Sequence, residues 1–311
     1  MIDLSDVRFM YSKEEVEAFL EANQVSVEEL LQFLIEAIKP KARVPISQFR
    51  VGAAAYTESG RIFLGTNMEF QNVAMNQTVH AEQCTLSNVY LHTAFGQNEK
   101  IRILAVSEVP CGHCRQILQE LPDAKNIRVI VQKAGVDHLL SDLLPYSFEL
   151  PIDGIVHHLF ETASLFPLDQ FETPCQSHLR RIRSEIEQHA ISLTEDRWNR
   201  IESRLLDLLR RSFAWYSGHA SSAVILSKTG DAFGGCVESS AYNPTINPLQ
   251  MALIDCELKG IEFESVEAIL LVEMDGKAAS YEGFLRELGE KLIGREIPVF
   301  YVVVKANLGV C

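Results

Sequence analysis

At 311 residues with 47% hydrophobic content, the chain is long enough for two packed domains and is neither disordered nor fibrous. Its net charge of −14 argues against a nucleic-acid partner, whose affinity comes largely from Lys and Arg displacing counterions along phosphates, and favours a small neutral substrate. No apolar run is long enough to span a membrane, the start is acidic where a secretory signal needs a basic one, and seven Cys suit reduced thiols better than a disulfide framework; these features predict a cytoplasmic protein.

Residues 1–24 read as a short helical arm. Ser26 followed by Glu29, ahead of LLQFLIEAI, forms a capping box that opens a second helix and with it the main domain. FRVGAAAY, the turn TESG and RIFLGTNME form a hairpin with Gly60 in the turn. VHAEQCTLSNVYL has helical spacing, RILAVSEV reads as a strand, CGHCRQILQEL as a helix and IRVIVQK as a further strand, which predicts a mixed sheet covered by helices. From Leu144 to about Gln188, Pro145, Pro151, Pro167 and Pro174 predict a connection unsuited to a helix or central strand. In the Arg-rich run from Arg180 to Arg211, Glu185, Glu187, Glu195, Asp196, Glu202 and Asp207 are interspersed, as on a solvated helical face with mixed-sign pairs.

After the connection the earlier order returns: helix SRLLDLLRRSF, hairpin SSAVILSKTGDAFGGCVE turning at Gly230, helix PLQMALIDCELKG, strand VEAILLVE, helix FLRELGEKL and strand IPVFYVVVK. The chain contains its own fold twice. It divides into an arm at 1–24, a first domain at 25–150, a linker at 151–188 and a second domain at 189–311. Gly60 aligns with Gly230, Glu69 with Glu238 and Gln83 with Gln250, but His80 and Glu82 align with about Asn247 and Leu249, and PCGHC aligns with MDGKA. The front half has a site; the rear half has only the scaffold.

That site rests on TVHAEQC, Thr78 to Cys84, and VPCGHCRQ, Val109 to Gln116. One His and two Cys supply three ligands of the kind zinc prefers and leave a tetrahedral position open for water, as in catalytic rather than structural sites. Cys84, four residues past His80, is the nearest candidate for a closing ligand, although a thiol inside a helix is usually core. Cys175 with His178, and His157 with His158, have metal-like spacing but lie in the predicted linker without strand-to-helix context. Cys111 and Cys114 open a helix, where backbone N–H groups and the dipole favour thiolate, and Arg115 could balance their charge or be an ordinary surface residue. Glu82 is placed to move a proton from a water that a metal has acidified.

H-A-E with P-C-G-H-C-R-Q resembles the zinc-dependent cytidine deaminases, a signature general to zinc deaminases. The resemblance extends over nearly the whole chain, since SQFRVGAA, NMEF and a degenerate second copy look like the larger, two-copy homodimeric type. It implies an α/β chain made of two α/β/α layered domains, each a mixed sheet with helices on both faces, the second degenerate and retained for packing; its apolar strands AILLV and VFYVVV, which need burial on both faces, add the expectation that it shapes the dimer and completes the site. It also implies Zn²⁺ held by His80, Cys111 and Cys114, with Glu82 carrying protons while water adds at C4 of the base. Asn67 and Glu69 would read the ribose 3′-hydroxyl, Phe49 would stack on the base, and Phe148 is similar to an aromatic that reaches a neighbouring subunit's site.

The implied reaction converts cytidine and deoxycytidine to uridine and deoxyuridine in pyrimidine salvage, with no nucleic acid or membrane partner. Alternatives are deamination of a cytosine nucleotide, editing of a polynucleotide, and a zinc module that only staples two helices. The first two are disfavoured by the absence of a basic cluster beside the motifs.

Overall fold

The structure, a computed structural model, describes residues 3–94, 97, 99–160, 168–275, 279–292 and 297–305. The chain forms two compact units: Met1–Thr162 together with Ser239–Pro244, and Ala163–Glu238 together with Thr245–Cys311.

In the first unit β1 (Met10–Tyr11), β2 (Gly52–Thr57), β3 (Ile62–Thr66), β4 (Ile101–Val106), β5 (Arg128–Val131) and β6 (Val136–Leu139) form one sheet in the order β1-β3-β2-β4-β5-β6. β2 and β3 are the predicted hairpin, with Gly60 at φ +86° in its turn, a conformation that glycine adopts without steric cost. β4 and β5 are parallel, the other pairs antiparallel. The arm is part of this layer: β1 extends the sheet, and α1 (Lys13–Asn23), capped by Ser12, places Val16 and Phe19 in the same core as Leu30, Leu34 and Ile38 of α2 (Val27–Ile38). Ser26 and Glu29 form the predicted capping box of α2.

α3 (Ala81–His92) covers the other face, and is buried from Ala81 to Leu91 apart from half-buried Gln83. A glycine on each face lets a helix approach: a Cβ on Gly52 would meet Ile35 O of α2 at 2.4 Å, and one on Gly65 would meet Thr85 N of α3 at 2.4 Å. α4 (Gly112–Ile117) and α5 (Leu140–Leu143) complete the unit.

The second unit repeats the plan. β7 (Ser221–Ser227), β8 (Asp231–Gly235), β9 (Val266–Met274) and β10 (Val299–Val304) pair in the order β10-β9-β7-β8, with β9 and β10 parallel. α6 (Leu168–Glu187) and α7 (Glu195–Arg211) pack on one face through Leu179, Ile182, Trp198 and Leu205. α8 (Pro248–Lys259) lies close to Gly234, where a Cβ would meet Pro248 O at 2.0 Å, and α9 (Glu282–Leu292) precedes β10. Bridges recur as well: Arg43 pairs with Met68 and Met68 with Val79, as Phe213 pairs with Val237 and Val237 with Ile246.

One sequence expectation is corrected. The Pro-rich stretch predicted as a linker at 151–188 contains α6, twenty residues long, with Pro174 inside it. Cys175, Leu179, Ile182 and Ile186 fall at helical spacing and are all buried, so tertiary packing of that stripe outweighs the local cost of one proline. Pro167 and Gly276–Ala278 of the MDGKA segment lie outside the described residues. The Arg-rich run is two helices, α6 and α7, carrying the mixed-sign pairs Arg181–Glu185, Arg183–Glu187 and Arg204–Asp207. Among the described residues, no helix is long and apolar enough to cross a membrane.

Candidate metal centre and substrate pocket

His80 is the N-cap residue of α3. The Gln83 side chain accepts its backbone N–H at 3.0 Å. Parallel strands need a crossover, and α4 lies on the one between β4 and β5, which puts its N-terminus beyond the carboxyl end of β4. Cys111 is the N-cap of α4, and Cys114 is in its first turn.

The two helix starts meet. His80 Nδ1 is 3.3 Å from Cys111 Sγ and 3.4 Å from Cys114 Sγ, and the ligand atoms of the three residues all lie within 4.8 Å of one another. A tetrahedral zinc with ordinary Zn–N and Zn–S bonds holds its N and S ligands about 3.5 Å apart, so this donor set fits the ion. Among the described residues it is the one such group of three His, Cys, Asp or Glu. Cys84 is buried on α3 outside the group, Cys175 is in the core of the second unit, and His178, His157 and His158 form no such group either.

Each ionisable group at the cluster is displaced from its ordinary value. The Cys111 thiol is lowered to about 3 by a hydrogen bond from Cys114, with burial opposing and His80 assisting. Cys114 is pushed far up by the same bond, by burial and by Glu82. His80 is raised by its bond to Cys111. Glu82, 4% exposed, is held above the usual carboxylate range by burial.

A cavity of about 420 Å³ opens onto the cluster, lined among others by Phe49, Asn67, Glu69, His80, Glu82 and Cys111. Glu69 accepts from Ile46 N at 2.8 Å, Ser47 N at 2.9 Å and the Ser47 hydroxyl. Burial would raise Glu69, but these donors outweigh it and keep the carboxylate below its ordinary range. Asn67 Oδ1 accepts from Val51 N at 2.8 Å and its amide donates to Phe49 O at 2.9 Å. Asn67 and Glu69 therefore pin the 46–51 loop that presents Phe49, and Phe49 itself is half exposed at the cavity.

Phe148 is also exposed but does not line the cavity; its backbone is bonded to the Gln116 side chain. Arg115 donates to Pro110 O and Leu143 O, both at 2.8 Å, which makes it a brace for the α4 start. Sequence reasoning missed Ser47, Thr78, Glu108 and Val109, which also line the cavity. Ser47 was accessible from the internal repeat, since Ser217 stands at the equivalent place before Glu238.

The description "Cytidine and deoxycytidylate deaminase zinc-binding region" applies to two family profiles, which match residues 26–131 and 140–285. Cytidine deaminase of Pectobacterium carotovorum subsp. carotovorum is 32% identical over 298 residues, covering 93% of this chain and 89% of that protein. Cytidine deaminase 6 of Arabidopsis thaliana is 34% identical over 272 residues, covering 83% and 86%. Among solved structures, cytidine deaminase from Mycobacterium tuberculosis aligns with 40% of this chain and 100% of its own at 29% identity, with a TM-score of 0.36.

Proposed function

The chain belongs to the zinc-dependent cytidine deaminase family, and from that premise we propose that it hydrolyses cytidine and deoxycytidine to uridine and deoxyuridine with release of ammonia, in pyrimidine salvage. The observation that carries this reading is the convergence of His80, Cys111 and Cys114 beside buried Glu82, with His80, Glu82 and Cys111 lining one cavity.

His80, Cys111 and Cys114 would hold Zn²⁺. When bound, zinc lowers the pKa of water from about 15.7 to roughly 7 and so supplies a nucleophile at neutral pH. Glu82 takes one proton of the water that adds to C4 and gives it to N3 of the base; it then carries the remaining proton, from the new C4 hydroxyl, to the amino group that leaves as ammonia. Its raised proton affinity suits exchange with a weakly basic ring nitrogen. Phe49, at the open side of the cavity, stacks on the base. Glu69, held by Ser47 and Ile46 as an acceptor, has one lone-pair site left, on Oε1, for a ribose 3′-hydroxyl, and the second amide N–H of Asn67 can donate to the same oxygen.

A free nucleoside is the substrate rather than a nucleotide, because Glu69, Glu82 and Glu108 all line the cavity, and the neighbouring Lys133 is paired with Glu108 at 2.9 Å. The protein acts in the cytoplasm as a homodimer; the exposed Tyr146, Phe148 and Ile155 on the first unit support an apolar contact with a second copy. Metal analysis, combined with loss of ultraviolet absorbance on addition of cytidine, cytidine monophosphate or a cytosine-containing oligonucleotide, tests the reading. Zinc at one per chain and turnover of the nucleoside alone is the expected result; turnover of the monophosphate or oligonucleotide instead would replace it.

A further inference from the structure

The helix that carries both cysteine ligands ends against a piece of chain from the rear half of the sequence. Ser239–Pro244 belongs to the first unit although its neighbours on both sides belong to the second. Glu120, at the end of the 3₁₀ turn that continues α4, is 3% exposed, and its Oε1 is the focus of this turn. It accepts from Ser240 N at 2.7 Å, Ser240 Oγ at 2.9 Å and Ser239 Oγ at 3.2 Å. Gln116 donates to Ser240 Oγ at 3.3 Å and to Phe148 O at 2.8 Å, and His113 Nε2 lies 3.2 Å from the Asn243 amide.

Positions 113, 116 and 120 thus all reach one turn, from a helix whose first turn presents Cys111 and Cys114 to His80. α4 has only six residues, too few for a helix to hold its own geometry, so tertiary contacts must fix its rotation and depth. A buried carboxylate is costly unless bonded, and here the bonds come from backbone and hydroxyl groups of one tight turn, which is a rigid way to fix a helix end. The turn is the second-copy counterpart of the first-copy loop between Met68 and Val79, as the matching bridges Met68–Val79 and Val237–Ile246 show.

We propose that the Ser239–Ser240 turn, acting through Glu120 and Gln116, is a positioning element for the metal-binding helix, setting how Cys111 and Cys114 stand against His80. The proposal rests on the deaminase reading of that cluster. It gives the copy without ligands a specific task in the reaction, beyond packing.

The test uses the full-length protein and compares wild type with Ser240→Ala, Glu120→Gln, their double variant and Ser240→Thr. Zinc loss to a chelator, the visible absorption of the Co²⁺-substituted protein, kcat and KM for cytidine, and the melting temperature are measured. Ser240→Ala and Glu120→Gln are expected to lose zinc about tenfold faster and to lower kcat about tenfold, with KM changed by no more than about twofold and cobalt–thiolate bands shifted. The double variant should be little worse than either single one, and Ser240→Thr should recover most of the loss. If Glu120→Gln does not fold, Ser240→Ala, which keeps the bond from the Ser240 backbone, decides alone. A lower melting temperature with wild-type zinc retention and cobalt spectrum would make the contact merely structural and overturn the proposal. A wild-type protein that takes up neither zinc nor cobalt would overturn the site assignment and this proposal with it.

Discussion

Glu69 and Glu238 accept the same set of hydrogen bonds from equivalent partners: Ile46 N, Ser47 N and the Ser47 hydroxyl for one, and Tyr216 N, Ser217 N and the Ser217 hydroxyl for the other. Their acidities nevertheless move in opposite directions. Burial dominates at Glu238 and raises it, whereas at Glu69, which lines the cavity, the donors prevail and lower it. Duplication has preserved the anchor, and only in the front copy is the carboxylate held below its ordinary range.

Glu69→Gln should therefore reduce kcat/KM for cytidine by about 10- to 100-fold, the value of a hydrogen bond to a charged group, while hardly changing turnover of a 3′-deoxy analogue. Because Glu69 is lowered, KM should stay level as pH falls to its ordinary carboxylate range and should rise only below it. The same sign applies to stability: the contribution is present above the unfolded-state pKa and is lost as pH falls through the folded one. A KM that climbs with acid above about pH 5 would contradict this.

Glu82→Gln should keep its metal and its fold while turnover drops by roughly three orders of magnitude, the scale of a lost proton carrier. Metal content, circular dichroism and steady-state rates on the same preparation provide the check. Near-normal turnover would remove Glu82 from the chemistry.

Cys111→Ala should lose zinc altogether. In the metal-free wild-type protein, Cys111, lowered to about 3 chiefly by the Cys114 hydrogen bond, remains thiolate as acid is added, so its alkylation rate should change little between about pH 8 and pH 5. Cys114 should resist, and zinc should protect both. Peptide mass mapping after brief treatment with iodoacetamide distinguishes the two sulfurs.

Gly65→Ala should destabilise the protein by about 1–3 kcal/mol, the cost of overpacking, and impair zinc binding as well. The added methyl would meet Thr85 N at 2.4 Å, Thr85 Oγ1 at 2.5 Å and Ala81 O at 2.6 Å, which pushes back the very helix start that holds His80. Thermal unfolding with and without added zinc measures both effects.

Local sequence carried the elements whose signals are local: the Ser26–Glu29 capping box, the Gly60 hairpin and the repeated order of the second unit. It misjudged α6, because the cost of Pro174 is local while the apolar stripe that offsets it is expressed only against β10 and α7. β1 and β6 are short edge strands with little pattern of their own, and β6 is mostly exposed. At the site, residue chemistry and spacing singled out His80, Cys111 and Cys114, but nothing near Glu120 in sequence announces a partner 120 positions away. The sequence offers Asn67 as a sugar contact, but only the folded loop reveals that its amide also bonds the backbone on both sides of Arg50.

The turn at Ser239–Pro244 also bears on how such a chain can evolve. A duplicated half that has shed its ligands is free to drift in most of its surface, yet three residues of it, Ser239, Ser240 and Asn243, are bonded by side chains of a segment encoded more than a hundred codons earlier. Recombination that swaps rear halves between relatives therefore imports a foreign collar for the cysteine helix, and such hybrids should work best when loop and helix are inherited as a matched pair.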